Sequence, residues 1–138
     1  MFEKILLAVD GSESSGRATS VAADLAKASG GEVIVFHARE LEMAGRAGIV
    51  DRETSSETLK LVDGAVRSLK DADISARGEV RNALIGHVAK EIVRTATTDA
   101  ADVIVMGTRG LSDWGGLFLG SVAHRVIHLS EIPVTVVR

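Results

Sequence analysis

The chain has no cysteine, no tyrosine, a single proline, one tryptophan and three phenylalanines among its 138 residues. Without cysteine there are no disulfides, no thiol nucleophile and no cysteine-ligated metal. Aromatic side chains make up only 3% of the sequence, which leaves the core to Val, Ile, Leu and Ala and argues against gripping nucleic acid by base stacking. Positive charge is not in excess either. The formal net charge is −3, the wrong sign for a sequence-independent hold on a phosphate backbone. No apolar run approaches the ~18 residues of a membrane span, and Met1-Phe2-Glu3-Lys4 does not open a signal peptide. The expectation is a cytoplasmic protein with neither a nucleic acid nor a membrane as partner.

What is present is a balanced globular composition, 46% hydrophobic and 25% charged, in a length that suits one domain over residues 1–138. Lys4 to Asp10 is a continuous apolar run ended by Asp10-Gly11-Ser12, the mark of a strand buried on both faces. Ala18, Val21, Ala22, Leu25 and Ala26 then share one helical face, with Gly30-Gly31 as the stop. Glu32 to His37 is a second buried-type strand. From about Ala38 to Ser56 the sequence reads as a long loop. Leu59, Val62, Val66 and Leu69 mark a second helix, and Ile74 to Val80 a weaker, alternating strand suited to a sheet edge. A third helix is expected to carry Leu84, Val88, Ala89, Ile92 and Val93. Asp102 to Met106 is another buried strand, a glycine-rich stretch from Gly107 to Gly120 follows, and a short helix begins at Ser121. Ile132 to Val137 closes the chain, with Pro133 favouring an edge position.

Five strands alternating with four helices predict an α/β fold, an open parallel five-stranded sheet with helices on both faces. The order 3-2-1-4-5 puts the apolar strands in the middle. In such sheets ligands bind at the carboxyl ends of the strands where the order reverses, here strands 1 and 4. That crevice is bounded by Asp10-Gly11-Ser12 on one side and by Gly107-Thr108-Arg109-Gly110 on the other.

The glycine stretch offers close-approaching amides, and Gly120-Ser121 opens a helix whose free N–H groups favour an anion. The same residues also suit a plain turn with Ser121 as a cap, and spacing alone does not separate the two. Familiar nucleotide and hydrolase signatures are missing. Gly120 is followed directly by Ser121 with no lysine, no Gly-x-Gly-x-x-Gly follows strand 1, and there is no Gly-x-Ser-x-Gly. Asp10 suits either a turn cap or a ligand contact. His37 suits a satisfied internal hydrogen bond. His124 and His128 are four apart, but no Glu follows His124 and no Asp or Cys stands beside the pair, so no metal site is expected. Trp114 suits packing, a ligand cover or a subunit contact, and no role is assigned to it.

Over essentially its whole length the sequence resembles the universal stress protein family, a Rossmann-like, adenine nucleotide alpha hydrolase-like fold. The likeness rests on Ile5 to Ser12, Glu32 to His37, Ala101 to Gly110, Leu119 to Val126 and Ile132 to Val137. Gly107, Gly110, Gly120 and Ser121 match the pattern Gly-x2-Gly-x9-Gly-Ser, which in that family marks the ATP-binding branch. The resemblance implies that Ala8, Val9 and Asp10 meet the adenosine end and that Ala38 lies against the adenine. It places Met106 and Gly107 beside the ribose and adenine. Arg109, Gly110, Gly120, Ser121 and Val122 would surround the phosphates, with Mg²⁺ or Mn²⁺ accompanying them. Two departures are noted: many relatives have Gly or Pro just before helix 3, where this chain is read as Arg81-Asn82-Ala83-Leu84, and the stretch Ser112-Asp-Trp-Gly-Gly-Leu117 carries a Trp and two extra glycines.

The resulting expectation is an ATP-binding stress-response or regulatory module with an unidentified protein partner. The short, strongly β-forming strand Ile132 to Val137 needs cover, and pairing with the same strand of a second copy would provide it. The resemblance also implies a homodimer through that strand. Two other readings stay open: a nucleotide-free interaction module of the same fold, and a slow ATPase. The ATPase lacks an evident general base near the γ-phosphate.

Overall fold

The structure is a computed structural model, and it describes residues 1–51, 54–108 and 119–138. In chain order the elements are β1 (Lys4–Ala8), α1 (Glu13–Ser29), β2 (Glu32–Met43), a short 3-10 turn (Gly45–Ala47), β3 (Ile49–Asp51), α2 (Ser55–Asp71), β4 (Ala76–Leu84), α3 (Val88–Thr98), β5 (Val103–Gly107), α4 (Ser121–Leu129) and β6 (Val134–Val137). The five parallel strands stand in the expected order: β4 pairs β2, β2 pairs β1, β1 pairs β5 and β5 pairs β6. Leu6 lies between Ile34 and Ile104, and Leu7 between Val35 and Val105. The apolar run of β1 thus fills the centre of the sheet.

Two faces, two cores. Ile5, Leu7, Val9, Val33, Val35, Val103 and Val105 join residues of α1 and α2 on one face. Leu6, Ala8, Ile34, Phe36, Ala38, Ile104 and Met106 join α3 and α4 on the other. The period-2 alternation of side chains produces this division, and each fully buried Leu, Ile or Phe contributes about 1.5–3 kcal/mol. The first two helices are capped by their own sequence. Ser12 Oγ accepts from Ser15 N–H at 3.2 Å, and Thr54 and Glu57 form a reciprocal capping box. At the opposite end of the sheet, Asp102 Oδ2 accepts from the N–H groups of Glu3 and Lys4 at 2.8 and 2.9 Å, fixing the start of β1.

Three local expectations change. The sheet has a sixth strand. Much of the expected loop from Ala38 is strand: β2 continues to Met43 and turns back as β3, antiparallel to it. The second half of β2, Glu40-Leu-Glu-Met43, alternates polar and apolar because it leaves the core, so it lacked the continuous apolar signal of the first half. Leu84 ends β4, and α3 begins only at Val88. Its i, i+4 spacing to Val88 imitates a helical face, but Gly86 at φ +85° breaks any such helix. A glycine, Gly86, therefore stands just before α3, where the sequence pattern puts Arg81-Asn82-Ala83-Leu84.

Gly107, at the end of β5, sits against the first turn of α1. A Cβ built there would lie 2.6 Å from the Ser14 carbonyl carbon and 2.7 Å from the Ser15 nitrogen, both backbone atoms that cannot swing aside. Gly107→Ala is therefore expected to destabilise the fold by about 1–3 kcal/mol through overpacking. Chemical denaturation should show a lower midpoint with an unchanged slope.

Candidate functional site

At the carboxyl end of β1 the chain is held by short-range polar contacts. Val9 N–H donates to Phe36 O at 2.9 Å, prolonging the β1–β2 ladder by one bond. Buried His37 lies with Nδ1 2.7 Å from Val9 O; a carbonyl only accepts, so Nδ1 carries the proton. This is the satisfied internal histidine the sequence suggested. Asp10 is exposed, and its Oδ1 accepts from Ser12 N–H at 2.9 Å and from Ser12 Oγ at 2.6 Å. Its own N–H donates to Ser15 Oγ at 3.1 Å. Oδ1 thus shapes the turn into α1, the capping role read as one of its two options.

Across the crevice, Thr108 bonds in two directions. Its N–H donates to Val137 O at 2.9 Å, and its carbonyl accepts from Gly120 N–H at 3.0 Å. The latter bond closes the base of the glycine-rich segment. Gly120 occupies the N-cap of α4 and contributes no side-chain hydrogen bond to the helix start, unlike Ser12 and Thr54. Residues at the start of an α-helix have N–H groups without intrahelical partners, and the macrodipole adds positive potential there. Ser121 is exposed in this first turn and Val122 is half-buried behind it. Arg109, Gly110 and Trp114 lie outside the described residues.

Ala8, Ala38, Met106 and Val122 are brought together in the hydrophobic cluster beneath α3 and α4. Val9 belongs to the opposite face, packed with α1 and α2. Gly107 is committed to its contact with α1. Ser121 and Val122 open onto a cavity of about 340 Å³ shared with Glu40, Ile85, Gly86, Val88, Ala89 and Arg125. Ile85, Val88, Ala89 and Val122 give it apolar lining, while Ser121, Arg125 and Glu40 supply a hydroxyl, a cation and a carboxylate. That mixture suits a small ligand with an apolar ring and a charged end.

Four of these lining residues were not singled out from the sequence. Arg125 was within reach, since it lies four residues after Ser121 on one helical face. Ile85 and Gly86 were hidden by extending the third helix too far back, and Glu40 by reading the end of β2 as loop. Among the described residues no group of three or more His, Asp or Glu side chains is placed to hold a metal ion. No helix among them is long and apolar enough to cross a membrane.

Comparison with known proteins covers the same length of chain. The sequence profile of the universal stress protein family matches residues 1–138. The universal stress protein YxiE of Bacillus subtilis is 34% identical over 151 residues, with 100% of both chains covered. Among solved structures, a universal stress protein from Archaeoglobus fulgidus superposes with a TM-score of 0.78 at 25% identity, covering 100% of both chains. Another, a universal stress protein in complex with cAMP, gives a TM-score of 0.70 at 26% identity over 99% of this chain and 97% of its own. Sequence profile, curated relative and shared architecture agree from end to end: the chain belongs to the universal stress protein family.

Proposed function

We propose that this protein binds ATP at the carboxyl ends of β1 and β5 and serves as a dimeric regulatory module in the cytoplasm. The observation that carries the reading is the start of α4. A helix N-terminus without a side-chain cap opens at Ser121 onto a cavity that Ile85, Val88, Ala89 and Val122 line with apolar side chains. Amides at such an end stabilise phosphate oxygens, and apolar side chains beside them suit the face of a purine. The family pattern formed by Gly107, Gly110, Gly120 and Ser121 supports the same reading, as does the cAMP held by the relative described above.

In this arrangement the N–H groups of Ser121 and Val122 and the Ser121 hydroxyl receive the phosphates, with Arg109 and Gly110 closing around them. Met106 and Ala8 lie beneath the nucleoside, Ala38 lies against the base, and Asp10 stands at the sugar end. Val9 and Gly107 act through the backbone, because the Val9 side chain and the Gly107 Cα face are occupied by packing. A Mg²⁺ or Mn²⁺ ion would be held chiefly by phosphate oxygens and water, since the described residues supply no cluster of acidic or histidine ligands for it. Its chemistry there is charge neutralisation of the triphosphate.

The dimer would form along β6. Among the described residues β6 pairs only with β5, and all four of its residues are half-buried. Thr108 N–H bonds Val137 O and Ile104 N–H bonds Pro133 O, so the odd-numbered residues face β5. The N–H groups of Val134 and Val136 then point along the sheet plane toward a second copy.

Two measurements test these claims. Titration calorimetry with ATP and Mg²⁺ should show saturable binding that Gly120→Val weakens at least about tenfold, or about 1.4 kcal/mol, with circular dichroism showing that the variant is folded at the titration temperature. Wild-type protein that neither binds added ATP nor releases a nucleotide on denaturation refutes the nucleotide site and favours the interaction-module reading. For the dimer, Val136→Pro removes an outward N–H without touching the β5 ladder and should yield monomer by light scattering. A dimer of unchanged affinity would show that β6 is not the contact.

A further inference from the structure

The sheet edge opposite β6 belongs to β4, which among the described residues pairs only with β2. Its main-chain groups sort by register. Val33 N–H donates to Ser75 O and Ile85 N–H donates to Leu41 O, while Val33 stands beside Ala76 and Leu41 beside Leu84. Odd-numbered residues of β4 therefore bond toward β2. The N–H and C=O groups of Ala76, Gly78, Val80, Asn82 and Leu84 point away from the sheet. The strand that carries them has nine residues, a length of about 30 Å.

Two helices border that edge. On one face Gly78 packs under α2: a Cβ built there would lie 2.5 Å from Val62 Cγ1 and 3.6 Å from Val66 Cγ2. Leu61, Ala65 and Ser68 of α2 line the cleft toward α1. Helical periodicity then turns Leu59 and Val66 to the opposite flank, above the outer edge of β4. Leu59 is exposed and Val66 half-buried, and alternation puts exposed Val80 on the same face of the strand as Gly78. On the other face Glu79 and Arg81 share a small cavity with Glu91 and Arg94 of α3. Arg81 Nη2 lies 2.7 Å from Glu79, and Arg94 Nη1 3.6 Å from Glu91. In both pairs the acid is the covered member: the Glu79 and Glu91 side chains are 13% and 23% exposed, against 56% and 77% for the two arginines. What this wall presents to solvent is positive charge.

We propose that the open edge of β4 is a docking groove for an extended segment of a partner protein, one in which apolar and acidic residues alternate. The main chain of β4 supplies the ladder and the flanking helices read the side chains, as in other cases of strand addition to a sheet edge. In a strand paired to β4, one alternate set of side chains falls beneath Leu59 and Val66, where apolar residues fit. The other set meets Arg81 and Arg94, which attract carboxylates and repel ammonium groups. The devices that block a free edge are missing from β4. It has no proline and no lysine, and Arg77 and Arg81 pair with Glu79 two residues away, along the strand rather than across its edge. None of these groove residues lines the cavity at Ser121, so the groove is independent of the proposed nucleotide site.

The test uses the full chain and two capped synthetic peptides, one of alternating valine and glutamate and one with lysine in place of glutamate. The alternating pattern reads the same in both directions, so it pairs parallel or antiparallel. In ¹⁵N–¹H spectra the glutamate peptide should shift the amides of Gly78, Val80 and Asn82, and the lysine peptide should bind at least about tenfold more weakly. Val80→Pro removes one outward N–H without touching the β2 ladder and should weaken the glutamate peptide about tenfold. Arg94→Glu should also weaken it and narrow the gap between the two peptides. If Val80→Pro does not fold, Arg94→Glu, at an exposed helix position, decides. Equal affinity for the two peptides, no binding of the glutamate peptide, or shifts that bypass β4 overturn the proposal. A wild-type chain whose assembly state falls with Val80→Pro assigns the edge to a second copy and overturns it as well.

Discussion

Everything at the functional end of this molecule follows from lodging β1 between two parallel neighbours. Because β2 and β5 flank it, the connections that leave them depart to opposite faces, and the carboxyl end of β1 is left facing an open crevice. The continuous apolar run Ile5-Leu-Leu-Ala-Val9 makes this the only comfortable place for β1, since both faces must be covered. Once β1 is central, Asp10 and the start of α1 stand on one bank and Thr108 on the other. The close seating of Gly107 on the first turn of α1 then holds the banks together. Fold stability and site geometry are set by the same few backbone contacts.

The sheet and its order were legible because buried parallel strands have a loud signal. Val33-Ile-Val-Phe36 and Val103-Ile-Val-Met106 permit no polar face, and the weaker Ala76–Leu84 falls at the edge for the opposite reason. The signal fades where a strand leaves the core. Glu40-Leu-Glu-Met43 has the alternation of a one-sided strand, too short to separate from loop without seeing β3 return beside it. Leu84 fell into phase with Val88 by accident, and a single residue with positive φ, Gly86, decides against the helix. That property is invisible in a hydrophobic pattern.

Of the residues singled out from the sequence, Ser121 and Val122 line the cavity, while Ala8, Ala38 and Met106 belong to the buried cluster on the same face of the sheet and do not line it. The contributions of Glu40, Ile85 and Gly86 depended on where β2 ended and α3 began, the two boundaries that pattern reading places least well. Asp10 and Gly107 carry a different lesson. Each has a complete local explanation, a turn for one and a tight helix contact for the other, so a substitution at either changes the scaffold before it changes any ligand contact.

Thr108 deserves its place at the centre of that scaffold. Through its amide it holds the outermost strand, and through its carbonyl it holds the residue from which α4 starts. The sheet rim and the helix mouth are therefore joined at one residue, with no soft spacer to absorb a displacement. Whatever leans on the rim also tugs on the mouth.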